Sequence, residues 1–195
     1  AVCSPQPGQR WWDACAGAGG KTLALADRMR GKGKVVASDV RGYKLSDLRR
    51  RARRADMQNI EPRAWDGASM DKKRGNFHGV LVDAPCSASG TWRRNPDARW
   101  GLDPEEVLRL ARMQQQILQN AARAVRSQGV LIYATCSLFS RENQEVVQEF
   151  LRLEEDFSLE PFDHPLTGER TDGTLQIWPW EGDSDSMFVC RMRRK

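Results

Sequence analysis

A carboxylate and two thiols offer chemistry in this chain. Asp83, Cys86 and Ser87 close one apolar run, 78–83, and Thr135, Cys136 and Ser137 close another, 130–135. Pro85 fixes its own φ and pushes Ala84 toward an extended conformation, so Asp83 and Cys86 stand on a rigid corner. A single cysteine reads as an inert buried residue. Two at neighbouring strand ends, beside a carboxylate, read as a reactive pair. Such a set suits attack on a pyrimidine ring. Carbon 5 of cytosine is a poor nucleophile, but a thiolate added to carbon 6 makes it enamine-like and able to take a methyl group. A carboxyl group at ring nitrogen 3 and the exocyclic amine would stabilise the adduct. The carbon 5 proton must then leave and the thiolate be eliminated, a release that a second thiol could assist. A free cysteine of pKa ~8.5 is only a few per cent thiolate at pH 7, so activation has to come from the site.

A second group of residues points to a ligand. The stretch 13–22, Asp-Ala-Cys-Ala-Gly-Ala-Gly-Gly-Lys-Thr, follows a predicted strand and opens a predicted helix. Small residues let the backbone approach a ligand, and a helix amino terminus offers free N–H groups. The spacing is neither a P-loop nor a full GxGxxG, because Cys15 and Thr22 stand where glycines would be needed. Asp39 ends the next strand about 20 residues on, where an acid can bind ribose hydroxyls. Loop and acid together predict a nucleoside cofactor, an arrangement that NAD enzymes and S-adenosylmethionine enzymes share. Asp66, at a third predicted strand end, could accept from an adenine amino group. On its own it reads as a turn residue. Cys15 reads as packing at the base of the loop, while Cys3 and Cys190 read as structural.

The elements that position these residues alternate. Predicted strands cover 10–15, 34–39, 63–66, 78–83 and 130–135, with a closing strand at 187–192. Predicted helices cover 21–29, 43–55, 105–126 and 141–153, the last capped by Ser140. Alternation of this kind implies an α/β fold: an open, mostly parallel twisted sheet with helices on both faces. Ligands bind beyond the carboxyl ends of such strands, and Cys15, Asp39, Asp66, Asp83 and Cys136 all fall there. Trp11 and Trp12 read as core.

Composition narrows the class. The 195 residues fit one domain, carry 31 Lys+Arg against 26 Asp+Glu, and have a net charge of +5. No apolar run approaches the roughly 18 residues that span a bilayer. Five cysteines without CxxC spacing, and two histidines, argue against a disulfide framework and against a metal site. The expectation is a reduced, cytoplasmic, weakly basic monomer.

The motifs resemble the RsmB/NSUN (Sun) family of S-adenosylmethionine-dependent RNA cytosine-5 methyltransferases. The resemblance rests on the 13–22 loop, on Asp83-Ala-Pro-Cys86-Ser-Ala-Ser-Gly90-Thr, on Arg93-Arg-Asn-Pro-Asp97, and on Tyr133-Ala-Thr-Cys136-Ser with Glu142-Asn143. It covers nearly the whole chain. It implies a Rossmann-like class I methyltransferase fold. Cys15, Ala16, Gly17, Ala18, Gly19, Gly20, Lys21, Asp39, Asp66 and Asp83 would line the cofactor site. Cys136 would be the nucleophile, Cys86 would help release product, Asp83 would also hold the base, and Lys21 would face the base or the reacting centre. The substrate implied is RNA, with ribosomal RNA expected and transfer RNA as the other option. Two departures stand out. The family's usual Ala-Pro is Gly17-Ala18 here, and the RNA-binding portion that usually precedes the core is not in this sequence, which predicts a catalytic core taken from a longer protein.

Basic residues supply candidate RNA contacts. Arg93, Arg94 and Arg99, with Trp92 and Trp100, directly follow the Cys86 corner and could meet phosphate and stack on bases. The run 49–54 holds five arginines on a predicted helix, readable as a solvated face or as phosphate contact. Arg191, Arg193, Arg194 and Lys195 read as a basic tail. The target base must be unstacked for a thiolate to reach it. The rival readings are an NAD-dependent oxidoreductase, which leaves Asp83 and both thiols idle, an exocyclic-amine methyltransferase, and a non-catalytic RNA-binding module.

Overall fold

The computed structural model describes residues 1–68 and 76–195. The chain alternates β1 (Arg10–Asp13), α1 (Gly20–Arg28), β2 (Lys34–Asp39), α2 (Gly42–Arg54), β3 (Ile60–Ala64), β4 (Phe77–Asp83), α3 (Pro104–Ala122), β5 (Val125–Thr135) and α4 (Gln144–Leu153). The last quarter adds β6 (Phe157–Leu159), β7 (Thr174–Ile177), a short α5 (Pro179–Gly182) and β8 (Met187–Arg194). The strands form one sheet in the order β3-β2-β1-β4-β5-β8-β6, with β7 also against β8. Strands β1 to β5 are parallel, and β8 runs antiparallel to β5. The strand order reverses between β1 and β4, so a crevice opens beyond their carboxyl ends.

Alternation along the strands divides the core. Trp12, Val80, Val82, Leu131 and Tyr133 point to one face, where Leu118 and Ala121 of α3 and Val146 and Phe150 of α4 cover them. Trp11, Leu81, Ile132 and Ala134 point to the other, under Leu25 and Ala26 of α1. This is the period of two that an extended chain imposes. Both tryptophans are buried, as predicted.

Several predicted boundaries move. The third strand ends at Ala64 rather than Asp66. It is the outer strand of the sheet, which is where a proline such as Pro62 can be tolerated. Helix α3 stops at Ala122, not at 126. Val125 already pairs with Phe77, and the register shifts before Val130 pairs with Gly79, with Gln128 at φ +59° in between. Ser140 does not cap α4. It opens a single 3₁₀ turn (Ser140–Glu142), and Asn143 stands at the head of the helix. The basic tail is a correction as well: Arg191, Arg193 and Arg194 lie within β8 and pair with Glu160 and Asp156. Among the described residues no helix is long and apolar enough to cross a membrane.

Candidate active site

The 13–22 loop turns sharply because two glycines take positive φ, Gly17 at +53° and Gly19 at +88°. Any side chain at Gly19 would collide with Leu48 of α2. The turn is held to β2 at two points: the Ala16 amide donates to the Ser38 carbonyl at 2.7 Å, and the Gly17 amide donates to Asp39 Oδ2 at 2.9 Å. Arg41 donates its backbone N–H and its Nε to Asp39 Oδ1, both at 2.9 Å. Burial opposes ionisation of Asp39, but the Arg41 and Gly17 hydrogen bonds outweigh it and hold the carboxyl below its usual range.

Below the loop, Asp13 is fully buried and accepts from Thr22 Oγ1 at 2.7 Å, while its Oδ1 has no partner. Burial pushes its pKa up to about 7 against the Thr22 hydrogen bond, with the Asp83 carboxylate adding to the rise.

A cavity of about 790 Å³ lies over these strand ends. Cys15, Ala16, Gly17, Asp39, Asp66 and Asp83 line it. So do the apolar Val40, Trp65, Met113 and Ile117, and Val40 is 72% exposed there. The volume is that of a small-molecule site. Acids at two strand ends and one just past a third suit ribose hydroxyls, an amino group and a positive centre, and apolar walls suit a base. A nucleoside carrying positive charge therefore fits. Ala18, Gly19, Gly20 and Lys21, also predicted for this site, lie outside the lining. Gly19 packs on Leu48, and Ala18 borders a separate groove.

Lys21 instead reaches across to β4, where its Nζ donates to Asp83 Oδ2 at 2.7 Å. Burial works against its charge, but Asp83 outweighs that and raises the Lys21 pKa. Beside this ion pair the two thiols meet, with Cys86 Sγ and Cys136 Sγ 3.4 Å apart. The hydrogen bond from Cys86 lowers the Cys136 pKa, opposed by burial and by Asp83, with Lys21 also favouring the thiolate. The same hydrogen bond, then burial, raises the Cys86 pKa. Cys136 is the more readily ionised sulfur.

A buried polar network fixes both thiols. Glu142 is fully buried. Its Oε1 accepts from the Ser87 amide and from Gln114 Nε2, each at 2.9 Å, and its Oε2 accepts from the Ser87 and Ser137 hydroxyls, each at 2.5 Å. Gln114 also donates to the Pro85 carbonyl at 2.9 Å, and Tyr133 donates to the Glu142 carbonyl at 2.6 Å. The Gly90 amide donates to the Cys136 carbonyl at 2.8 Å. A Cβ at Gly90 would stand 2.8 Å from that oxygen, so the approach requires glycine. Sequence reasoning places Glu142 and Gly90 within motifs but gives them no role. It misses Gln114, whose place in α3 reads simply as helix. Cys3 and Cys190 stay away from this corner, Cys190 being buried in the sheet and Cys3 partly buried against the core.

The predicted RNA contacts sit on the flank. Arg93 pairs with Asp183, Arg94 pairs with Asp185, and the Arg99 guanidinium lies 4.5 Å above the Trp100 ring. Trp92 is half-buried with its ring edge-on to Phe139 at 6.2 Å. Among the described residues no cluster of three or more His, Cys, Asp or Glu could hold a metal.

Known proteins resemble this chain in sequence and in fold. Residues 1–193 match the family described as 16S rRNA methyltransferase RsmB/F. A probable ribosomal RNA small subunit methyltransferase B of Bacillus subtilis is 35% identical over 198 residues, covering 98% of this chain and 44% of that protein. A putative methyltransferase of Mycobacterium tuberculosis is 37% identical over 195 residues, covering 95% of this chain and 40% of the relative. The chain thus spans less than half the length of these relatives. The crystal structure of PH0851 superposes with a TM-score of 0.93 at 32% identity, over 99% of this chain and 44% of that one. NSun6 from Pyrococcus horikoshii, solved with SFG, shares the fold at a TM-score of 0.81 and 24% identity, over 99% of this chain and 50% of that one. The fold is the Rossmann-like fold of class I S-adenosylmethionine-dependent methyltransferases, and the chain belongs to the 16S rRNA methyltransferase RsmB/F family.

Proposed function

We propose that this chain is the catalytic core of an enzyme that methylates carbon 5 of cytosine in ribosomal RNA through a covalent Cys136–cytosine adduct. The observation that carries the reading is the 3.4 Å approach of Cys86 and Cys136 beside the Lys21–Asp83 ion pair. Family membership and the names of the relatives support the rRNA substrate and S-adenosylmethionine as cofactor. When bound, S-adenosylmethionine supplies an electrophilic methyl group on a sulfonium centre. Asp39 and Asp66 would hold its nucleoside part, with residues 15–17 lining the same cavity.

Cys136 attacks as the thiolate, and its sulfur forms a bond to carbon 6 of the cytosine. Cys86 donates to that thiolate before attack. Asp83, anchored by Lys21 through Oδ2, offers its other oxygen as acceptor to the exocyclic amine, and to nitrogen 3 once that nitrogen takes up a solvent proton as the adduct forms. The electron density pushed to carbon 5 accepts the methyl group. The carbon 5 proton then passes to solvent water, the proton taken up at nitrogen 3 returns to solvent, the carbon–sulfur bond breaks, and Cys136 leaves as thiolate. Cys86, no longer serving a thiolate while Cys136 is bonded to carbon, assists this release. An NAD oxidoreductase gives the two thiols no task.

The test uses a cytosine-containing 16S rRNA fragment with radiolabelled S-adenosylmethionine. Cys136→Ala is expected to abolish methyl transfer and any adduct. Cys86→Ala is expected to retain an RNA–protein band on a denaturing gel. The reverse pattern inverts the assignment, and wild-type turnover in both variants removes the thiols from the mechanism. Thermal stabilisation by NAD, with none by S-adenosylmethionine, would sink the reading.

A further inference from the structure

The densest basic run stands on α2, outside the chemistry above. The helix buries Leu45, Leu48 and Ala52 along one stripe, and the rest of its surface carries Arg49, Arg50, Arg51, Arg53 and Arg54. Like charges three and four residues apart repel on a helix, and here 49 faces 53 and 50 faces 54. Several arginines on other helices and turns are paired, Arg109 with Glu106, Arg152 with Glu149, and Arg141 with Glu145, and those unpaired among the described residues, such as Arg28 and Arg112, do not form a run. On α2, Asp47 takes Arg50. Among the described residues Arg49, Arg53 and Arg54 meet no carboxylate. The helix dipole favours basic residues in the last turn, but it does not account for the shape they make. Arg50, Arg51, Arg53 and Arg54 line a groove of about 620 Å³ together with Asp47 and Ala18. Arg51 Nη1 donates to the Ala18 carbonyl at 2.9 Å. The groove therefore adjoins the turn whose residues 15–17 line the cofactor cavity.

We infer that this groove is a docking surface for the sugar-phosphate backbone of the RNA substrate, an inference that rests on the RNA reading above. Self-repelling guanidinium groups are relieved by a polyanion, their planar forks match phosphate oxygens, and RNA is the polyanion that the reaction itself brings. The groove holds RNA close to the cofactor turn, while the base to be modified enters at the β4–β5 corner.

Filter binding of a 16S rRNA fragment, measured from low to high KCl, tests this. Every phosphate that a side chain no longer neutralises makes the slope of log affinity against log salt shallower by roughly 0.7 to 0.9. The Arg50→Gln/Arg53→Gln/Arg54→Gln variant is expected to bind at least tenfold more weakly, with a slope shallower by about 2, and Arg53→Gln/Arg54→Gln with a smaller loss of the same kind. Thermal stabilisation by S-adenosylmethionine is expected to be unchanged in both, which reports an intact cavity. Wild-type affinity and slope in the triple variant would overturn the proposal. So would displacement of RNA by poly-glutamate as effective as by unlabelled RNA at equal charge, which would assign the groove to an acidic peptide. Failed methyl transfer by the wild type, with arginine-dependent RNA binding intact, would overturn the catalytic reading and leave the docking surface standing.

Discussion

At the carboxyl ends of β1, β2 and β3, polar groups are left facing a cavity. Asp39 and Asp66 line it, and beneath it Asp13 keeps an oxygen without a partner. At the carboxyl ends of β4 and β5 the polar groups turn inward. Ser87, Gln114, Ser137 and Glu142 satisfy one another, and only the sulfurs and the Lys21–Asp83 pair face the crevice. The first region presents carboxylates to the cavity, Asp39 through oxygens that Gly17 and Arg41 also hold. The second consumes its hydrogen-bonding capacity internally to hold two sulfur atoms at a fixed separation, since a fully satisfied buried network rigidifies what it surrounds. Binding and chemistry thus meet at Asp83, which lines the cavity and pairs with Lys21, and away from it each can be broken alone.

The largest expected effect is on the inward-turned side. Glu142→Ala strands the Ser87 amide, the Gln114 amide group and the Ser137 hydroxyl in the interior. It should cost about 3 kcal/mol or more of stability in urea unfolding followed by tryptophan fluorescence. A loss under about 0.5 kcal/mol would remove the network's structural role.

Asp13 tests the open side by pH. Its folded pKa of about 7 lies above the unfolded value of 3.8, so the folded state holds a proton that the unfolded state releases between them. Stability therefore falls as pH rises from about 4 through 7, by roughly 4 kcal/mol at most. Asp13→Asn keeps the acceptor for Thr22 and removes the titration. It should be more stable than wild type at pH 8 and about equal at pH 4, by thermal unfolding. Equal differences at both pH values would mean that Asp13 is not held protonated.

Asp39→Asn should weaken S-adenosylmethionine binding about tenfold to a hundredfold, the worth of hydrogen bonds to a charged group, and also cost some stability, because the amide nitrogen would face the Gly17 amide or the Arg41 guanidinium. Isothermal titration checks this, and unaltered affinity would take Asp39 out of the nucleoside site. The smallest and sharpest test is Gly90→Ala. Its Cβ presses on the Cys136 carbonyl, so turnover should fall about tenfold, a small shift of the nucleophile being costly, while cofactor affinity holds. A fall in affinity as well would show that the two regions are not independent.

Much of this is legible in the sequence where one residue carries its own meaning. Pro85 announces a corner, a small-residue turn before a helix announces close backbone approach, and an acid ending β2 announces a carboxylate at the ligand edge. Asp66 is legible even though β3 stops two residues before it, because it is the acid rather than the strand end that lines the cavity. The arginines at 93 and 94 are legible as basic residues, but their acidic partners, Asp183 and Asp185, lie some 90 positions away on the β7–β8 connection. Strands β6 and β7, short and on the outer edge of β8, carry too few alternating residues to register as a pattern.

By itself the sequence determined the element order, the parallel α/β class, and which residue types reach the ligand edge, since those follow from local periodicity and turn chemistry. The tertiary structure alone decided that Cys86 meets Cys136, that Lys21 leaves the cofactor loop for Asp83, and that Glu142 is the hub beneath both thiols. These are approaches across 50 to 62 residues of chain, and they exist only because β1, β4 and β5 lie side by side in the sheet.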